Sequence, residues 1–306
     1  MNLPATRVMN RKSNSEVIFS SGSILLDHAL HTGGIPGGSI CEIFGPMGSG
    51  KTTLCQHIIA EAQRNGSMCV YIDVDQTLDV RFAERCGVNI NRLFISQQQR
   101  ADQVLSIVET MARSGAIGVL VIDPVSSLIA PAESEMSQEH TSIRSVDLII
   151  SQTLNRLAKV LQRTKTLIIF TNITTGRSKV VYHRLKENPA KVALKFHSAL
   201  RLRLSLLETI SQNQQIIGQR IGIQIVKNRF APCLDRAELD IMYNDGIRKT
   251  GEIFDLGIRL SIIERCGSNY CYRNTLLGPG RDSAINFFEH NHSLMEEVEQ
   301  VIRQCL

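Results

Sequence analysis

Short apolar runs alternate with segments of helical periodicity between residues 39 and 172. Five of the runs have the length and composition of buried strands. They cover residues 39–44, 68–73, 93–95, 118–123 and 166–171. Four amphipathic segments separate them and predict helices. They cover residues 52–63, 79–86, 101–113 and 145–162. Strands that alternate with helices predict an α/β fold with a mostly parallel central sheet and helices on both faces.

The pattern changes after residue 199. Residues 200–207 and 220–227 alternate or run apolar without an intervening helix, which predicts a hairpin or meander added to the sheet edge. From residue 249 a short helical pattern, an aromatic hairpin-like segment and two closing helices predict a small α+β domain. We therefore expect three parts. They are a short N-terminal segment (1–18), a core (19–248) and a small C-terminal domain (249–306).

The composition narrows the class of protein. The chain has 306 residues, of which 43% are hydrophobic and 21% charged, as expected of a soluble protein with two domains. No apolar stretch approaches the length of a membrane span. The first twenty residues are basic but lack the apolar segment of a secretory signal, so we expect a cytoplasmic protein, with organelle targeting as the alternative. The eight cysteines lack zinc-site spacing and are expected to be buried, reduced thiols.

The sharpest motif is Gly-Pro-Met-Gly-Ser-Gly-Lys-Thr at residues 45–52, a complete GxxxxGK[ST] phosphate-binding loop. A predicted strand precedes it and a predicted helix follows it, as its mechanism requires. Backbone amides and the helix N-terminus would bind phosphates, Lys51 would reach the β- and γ-phosphates, and the Thr52 hydroxyl would ligate Mg²⁺. The residues expected to bind nucleotide here are Gly45, Pro46, Met47, Gly48, Ser49, Gly50, Lys51, Thr52 and Thr53.

Carboxylates follow two other predicted strands. Asp123 ends the run at 118–123, where it would help to hold Mg²⁺, although an aspartate that caps the turn before a proline is the alternative. Asp73 and Asp75 are two residues apart, so an extended strand would place them on one face. One of them would activate the attacking water, unless both are solvated loop acids. These motifs together predict a Mg-ATP-binding protein, most simply an ATPase.

A basic segment at residues 173–191 predicts a macromolecular partner. It carries five cations against Glu187 alone, with one interleaved aromatic residue. This mixture suits a nucleic-acid backbone and stacked bases, and a merely solvated loop is the alternative. The residues concerned are Arg177, Lys179, Tyr182, Arg184, Lys186 and Lys191.

The order of these motifs resembles the bacterial RecA recombinase family from about Phe19 to the C-terminus. The matching segments are SSGSILLD, the Gly33-Gly34 pair, the phosphate loop, YIDVDQTLD, LVIDPVSSL, LIIFTN, ALKFHSALRLRL, IVKNR and GEIFDLG. The resemblance implies a RecA-type P-loop ATPase core that uses ATP and Mg²⁺. It implies a homo-oligomeric helical filament on single-stranded DNA, capture of duplex DNA, and strand exchange in DNA repair. It also implies self-cleavage of the SOS repressor as a partner reaction.

The resemblance implies roles for further residues of the ATPase site. Asp75 stands where the family has its catalytic glutamate, and Lys227 with Arg229 matches a pair that reaches the neighbouring protomer's ATP. Phe196 matches an interface phenylalanine. The adenine would be contacted by Asp79, Phe82 and Tyr243.

The resemblance also implies the DNA-binding elements. Segments 133–144 and 173–191 fall where the family has its two DNA-binding loops, with Arg144 the main cation of the first. In the C-terminal domain, Arg265 and Arg281 are the candidates for capture of duplex DNA.

Departures from the family pattern predict reduced DNA-stimulated turnover. Asp75 is one methylene shorter than glutamate, and Ile173 replaces a glutamine that couples the γ-phosphate to the second DNA loop. We also expect no counterpart of the family's N-terminal docking helix, unless the start codon is misassigned, and none of its acidic C-terminal tail. The alternative function is therefore a RecA paralogue that binds ATP and DNA, hydrolyses weakly, and acts as mediator or regulator of another recombinase.

Overall fold

A computed structural model describes residues 17–130, 139–174, 189–212, 214–231 and 235–306. The elements up to residue 123 are β1 (Ile18–Phe19), α1 (Ile24–Ala29), β2 (Ile35–Pro36), β3 (Ile40–Gly45), α2 (Lys51–Arg64), β4 (Met68–Asp73), α3 (Val80–Arg85), β5 (Leu93–Ser96), α4 (Ala101–Ser114) and β6 (Ile117–Asp123). Those that follow are α5 (Glu139–Thr164), β7 (Leu167–Ile173), α6 (Pro189–His197), β8 (Leu200–Gln212), β9 (Gln215–Asn228), β10 (Arg236–Met242), β11 (Gly246–Ile247), α7 (Lys249–Arg259), β12 (Glu264–Cys266), β13 (Asn269–Tyr272), β14 (Thr275–Pro279), α8 (Gly280–His290) and α9 (His292–Cys305).

Within the described ranges, one large sheet has nine strands in the order β11-β10-β9-β8-β3-β7-β6-β4-β5. Its strands from β8 to β5 are parallel, whereas β9, β10 and β11 add antiparallel pairings at one edge. The predicted α/β fold with an added hairpin and a small α+β C-terminal domain is confirmed. The carboxyl ends of the parallel strands meet at one edge, where ligands bind in such sheets.

The two faces of the sheet bury separate apolar clusters because side chains alternate along each strand. In β3, Cys41 and Ile43 join a cluster that includes α2 residues, whereas Ile40 joins one that includes residues of α4 and α5. A third cluster forms the core of the C-terminal domain and includes Ile24 from α1. The glycine loop after β3 is therefore held on a strand that is covered on both faces.

Two side chains lie near the junction between the core and the C-terminal domain, namely half-buried His57 and buried Glu252. His57 of α2 accepts a hydrogen bond at Nε2 from the Ile247 amide (2.8 Å), and burial lowers the pKa of this histidine to about 4. Glu252 of α7 accepts one at Oε2 from the Ile24 amide (2.9 Å), and burial raises its pKa to about 8. The helix that begins in the glycine loop is thereby connected to the domain junction.

The cysteines of the core fit the expectation of buried thiols, namely Cys41, Cys55, Cys69 and Cys86. The expectation is wrong for the C-terminal domain, where Cys266 is exposed and Cys271 is partly exposed. Cys305 is also exposed, and Cys233 lies outside the described residues.

None of the helices in the described part of the chain is long and apolar enough to span a membrane.

Candidate nucleotide-binding site

Close packing explains the glycines of the loop between β3 and α2. Gly48 and Gly50 have φ values of +72° and +84°, in the left-handed region that favours glycine. A Cβ atom at Gly45 would lie 2.4 Å from the carbonyl oxygen of Leu204, and one at Gly50 would lie 2.5 Å from Cδ1 of Ile241. The backbone of β8 therefore approaches Gly45 so closely that a side chain there would clash with it, whereas Gly50 meets the end of the Ile241 side chain and is favoured mainly by its positive φ.

Lys51 is folded back over the loop. Its Nζ donates hydrogen bonds to the carbonyl oxygens of Gly45 (3.2 Å) and Pro46 (2.6 Å), and only 7% of the residue is exposed. Burial lowers the pKa of its ammonium group, and the negative charge of Asp123 opposes that shift. A cation held in this way against the amino end of α2 is placed to bind an anionic ligand.

Asp123 at the end of β6 accepts hydrogen bonds from three hydroxyl groups. Thr52 Oγ1 (2.7 Å) and the Tyr71 hydroxyl (2.6 Å) donate to Oδ2, and Thr171 Oγ1 donates to Oδ1. Burial, followed by the charge of Asp123, raises the pKa of Tyr71, so its phenol remains a proton donor. Sequence reasoning missed Tyr71 and Thr171, whose only signal is a polar atom near the carboxyl end of a buried strand.

The oxygen atoms of Thr52 and Asp123 fit Mg²⁺, which prefers hard oxygen ligands and keeps several waters and phosphate oxygens in its shell. In the described residues no group of three or more histidine, cysteine, aspartate or glutamate side chains could hold a metal ion by itself. Because Mg²⁺ takes phosphate oxygens as ligands, the oxygen atoms of Thr52 and Asp123 suit a metal that arrives with a nucleotide.

Asp73 and Asp75 do not share a strand face, so that expectation is wrong. The strand β4 ends at Asp73, whose buried carboxylate accepts hydrogen bonds from the amides of Thr77 (3.0 Å) and Leu78 (3.1 Å) and caps the turn. Asp75 lies beyond the strand end and is exposed. Its catalytic role stays a prediction.

A cavity of about 350 Å³ adjoins the loop. It is lined by Gly48, Ser49, Gly50, Lys51, Thr52, Thr53, Phe82, Gln219, Ile241 and Tyr243. The aromatic residues expected to contact the base thus lie beside the loop. Asp79 caps α3 by accepting a hydrogen bond from the Phe82 amide (3.0 Å), and it is not among the lining residues. Gln219, which the sequence analysis missed, donates from Nε2 to the Gly48 carbonyl (2.8 Å) and holds the loop to β9.

Lys227, Arg229 and Phe196 form a separate patch at the end of α6. Lys227 Nζ donates to the carbonyl oxygens of Lys195 (2.9 Å) and Phe196 (3.1 Å), and Arg229 also donates to the Phe196 carbonyl (3.2 Å). The Phe196 residue is 67% exposed. Gln219 lies at the cavity, and Lys227 is eight residues further along β9, roughly 25 Å away at strand geometry. The two cations therefore lie far from the cavity of their own chain.

The predicted DNA contacts are described only in part. Five of them lie outside the described residues: Arg177, Lys179, Tyr182, Arg184 and Lys186. Arg144 belongs to α5 and Lys191 to α6. In the C-terminal domain, Arg265 is exposed and donates to the Gly267 carbonyl (3.3 Å). Arg281 forms two hydrogen bonds to Asp255 (3.0 and 2.7 Å), so an acidic partner compensates its charge.

A phosphate loop at the carboxyl edge of a mostly parallel sheet defines the class of P-loop α/β proteins.

The family model of the RecA N-terminal domain matches residues 5–248, and that of the RecA C-terminal domain matches residues 251–306. Protein RecA of Caldanaerobacter subterraneus is 42% identical over 295 residues, which cover 96% of this chain and 85% of that protein. Protein RecA of a Wolbachia species is 41% identical over a segment that covers 94% of this chain and 81% of that protein. Protein RecA of Ehrlichia canis is 40% identical over a segment that covers 94% of this chain and 80% of that protein.

This chain belongs to the RecA family, as the resemblance indicates. The family is one of DNA-dependent ATPases that use ATP with Mg²⁺.

Proposed function

We propose that this protein is an ATP-dependent DNA recombinase that assembles as a helical filament on single-stranded DNA and exchanges strands with duplex DNA. The observation that carries the proposal is the division of the site into two distant parts. Lys51 and Thr52 line the cavity, whereas Lys227 and Arg229 lie beside exposed Phe196, far from that cavity. Such a site is complete only when the patch of one protomer meets the cavity of the next, in a head-to-tail contact.

Each part of the divided site has a distinct task. The loop amides and Lys51 bind the phosphates, Thr52 and Asp123 hold Mg²⁺, and Phe82 with Tyr243 contacts the base. Bound Mg²⁺ neutralises phosphate charge. Asp75 orients the attacking water and accepts its proton.

The neighbouring protomer and the DNA act on this site from outside. Lys227 and Arg229 stabilise charge on the neighbour's phosphates, as arginine fingers do. The segments 133–144 and 173–191 bind single-stranded DNA, and exposed Arg265 contributes to duplex capture. The same filament would serve DNA repair and stimulate self-cleavage of an SOS repressor.

Mixing two inactive variants tests the divided site. Lys51→Ala lacks the cavity cation, and the double variant Lys227→Ala/Arg229→Ala lacks the patch cations. Neither variant should hydrolyse ATP with single-stranded DNA. An equal mixture should recover activity at about one interface in four, because in a heterologous interface an intact patch must meet an intact cavity. Filaments seen by negative-stain microscopy are the accompanying readout. A mixture as inactive as its components would contradict completion of the site by a neighbour.

A second function, the weakly hydrolysing paralogue that regulates another recombinase, is favoured by one observation. Ile173 is the register partner of Gly45, and the Thr174 amide donates to the Gly45 carbonyl (3.0 Å), so position 173 lies directly beside the phosphate loop. An apolar side chain there cannot hydrogen-bond a phosphate.

Asp75→Glu distinguishes the two functions. In a weakly hydrolysing paralogue, the extra methylene should raise DNA-stimulated turnover at least about tenfold, since misplacement by an ångström costs on the order of a hundredfold. Asp282→Glu, on the exposed first turn of α8, is the matched control. If wild-type turnover is already strongly stimulated by DNA and Asp75→Glu leaves it unchanged, the paralogue function fails.

Tyr71→Phe should raise the Mg²⁺ concentration needed for half-maximal nucleotide binding about tenfold, the usual cost of removing a group that orients a metal ligand. The variant loses the 2.6 Å hydrogen bond to Asp123 Oδ2 and leaves Thr52 as the remaining donor to that oxygen. Titration of Mg²⁺ against binding of a fluorescent nucleotide measures the shift without requiring hydrolysis.

The control for this variant is Tyr272→Phe. Its hydroxyl donates to Glu297 Oε1 (3.0 Å) in the C-terminal domain, so the chemical change is the same at a remote carboxylate. Equal Mg²⁺ requirements in both variants would exclude an orienting role for Tyr71.

A further inference from the structure

A row of buried polar side chains crosses the middle of the large sheet, centred on Glu42 of β3. This carboxylate is fully buried. Asn172 Nδ2 of β7 donates a hydrogen bond to its Oε1 (3.2 Å), and Arg201 Nε of β8 donates to its Oε2 (2.5 Å). Asn172 and Arg201 are buried as well. Both oxygens of Glu42 are therefore engaged, as a buried carboxylate requires.

Strand register extends this row to the patch of Lys227 and Arg229. Arg201 pairs with Glu42 on one side and with Lys227 of β9 on the other. Residues directly opposite each other on antiparallel strands share a face, so Lys227 lies on the same side of the sheet as Arg201. Lys227 donates to two carbonyl oxygens at the end of α6, and Arg229 donates to one of them. The row therefore ends at the two patch cations.

Glu42 compensates the charge of cations that would otherwise repel one another. Burial is the main cause of the lowered pKa of Lys227, the charges of Arg229 and Arg201 add to it, and the charge of Glu42 opposes it. The Arg201 guanidinium is bonded to Glu42 and also lies over the Phe44 ring, 4.6 Å from its centroid. A guanidinium held at two places is kept from turning towards Lys227 and the carbonyl oxygens of α6.

We propose that Glu42 is a positioning residue for the ATP site of the neighbouring protomer. By holding and neutralising Arg201, it keeps Lys227 and Arg229 placed for the neighbour's phosphates. Glu42 nevertheless belongs to the strand that leads into the phosphate loop of its own chain. The inference rests on the proposed recombinase function, in which the two patch cations act across the protomer interface.

Glu42→Gln tests the charge of this carboxylate. The amide keeps an acceptor oxygen for Arg201 and nearly the same shape, but it leaves the guanidinium charge unpaired. DNA-stimulated hydrolysis should fall at least about tenfold, because displacement of a reacting group by an ångström costs on the order of a hundredfold. The double variant Glu42→Gln/Arg201→Met should regain most of this turnover, since it removes the unpaired charge and replacement of both members of a buried pair is often neutral.

Thermal unfolding shows whether each variant is folded. If Glu42→Gln is unfolded, Arg201→Lys takes its place in the same measurements, because it keeps a cation opposite Glu42 but lacks the planar guanidinium that lies over Phe44. Glu109→Gln is the matched control. Glu109 of α4 also forms ion pairs with arginines, Arg113 and Arg156, and its substitution should leave turnover unchanged.

Mixing with the variants of the divided site locates the defect. An equal mixture of Glu42→Gln with Lys51→Ala should regain hydrolysis at about one interface in four, because the first protein supplies an intact cavity and the second an intact patch. A mixture of Glu42→Gln with Lys227→Ala/Arg229→Ala should gain nothing, because neither protein has a working patch.

The reverse pattern of recovery would assign Glu42 to the phosphate loop of its own chain and overturn the proposal. So would undiminished turnover in Glu42→Gln. If either result appears while Lys51→Ala and Lys227→Ala/Arg229→Ala still complement each other, the divided site stands and only the role of Glu42 is rejected. If those two parent variants do not complement each other, both proposals are rejected.

Discussion

Lys51→Ala should abolish nucleotide binding, and DNA-stimulated ATP hydrolysis and strand exchange with it. The ammonium group is held at the loop by the carbonyls of Gly45 and Pro46, next to the end of α2 where phosphates would lie. Loss of one such preorganised charge costs about a hundredfold to a thousandfold in rate, and here it also removes a binding contact. Hydrolysis with and without single-stranded DNA, and titration with a fluorescent nucleotide, measure both losses.

Lys159→Ala is the control, because Lys159 is an exposed residue of α5 in the same domain. Thermal unfolding should show that both variants remain folded. Lys51→Ala removes a buried charge whose pKa is lowered by burial. Because a buried charge is costly, we expect the substitution to cause no decrease in the free energy of unfolding. Strand exchange that persists in Lys51→Ala would reject the recombinase proposal.

The sequence predicted the phosphate loop because its chemistry is local. The glycines, Lys51 and Thr52 are consecutive, and their spacing alone implies a backbone that wraps around phosphates. The apolar runs likewise predicted strands of the parallel sheet, since a strand that is covered on both faces needs continuous apolar residues. Local patterns of this kind do not depend on strand order or register.

The partners of Asp123 and Gly48 depend on register and could not be predicted. Tyr71 and Thr171 come from β4 and β7, the two neighbours of β6 in the sheet. In the sequence, each lies within a run that predicts a strand and has no further distinguishing pattern. Gln219 reaches Gly48 from a strand more than 150 residues later. The sequence predicts that Arg281 is a surface cation, but in the fold it forms an ion pair with Asp255 of another helix. Contacts between distant segments decide these environments.

Glu252→Gln should make the protein less sensitive to alkaline pH. Glu252 is fully enclosed between α7 and α1, and burial raises its pKa from 4.5 to about 8, while hydrogen bonds from Ser23 and the start of α1 oppose the rise. The folded state therefore holds a proton that the unfolded chain releases above pH ~4.5. The stabilisation from this proton is complete below that pH and is lost as pH rises through about 8.

Urea unfolding of wild type and variant at several pH values measures this contribution. Between about pH 5.5 and 7.5 the wild type should lose about 3 kcal/mol of unfolding free energy relative to Glu252→Gln, because each pH unit between the two pKa values contributes about 1.4 kcal/mol. The titration of His57 is the same in both proteins and cancels in the difference, whereas Asp27, whose charge contributes to the raised pKa of Glu252, is part of the measured effect. Glu264→Gln, at an exposed glutamate of β12, should follow the wild-type curve. Parallel curves for wild type and Glu252→Gln would mean that this carboxyl group titrates alike in both states and is not held neutral at the domain junction.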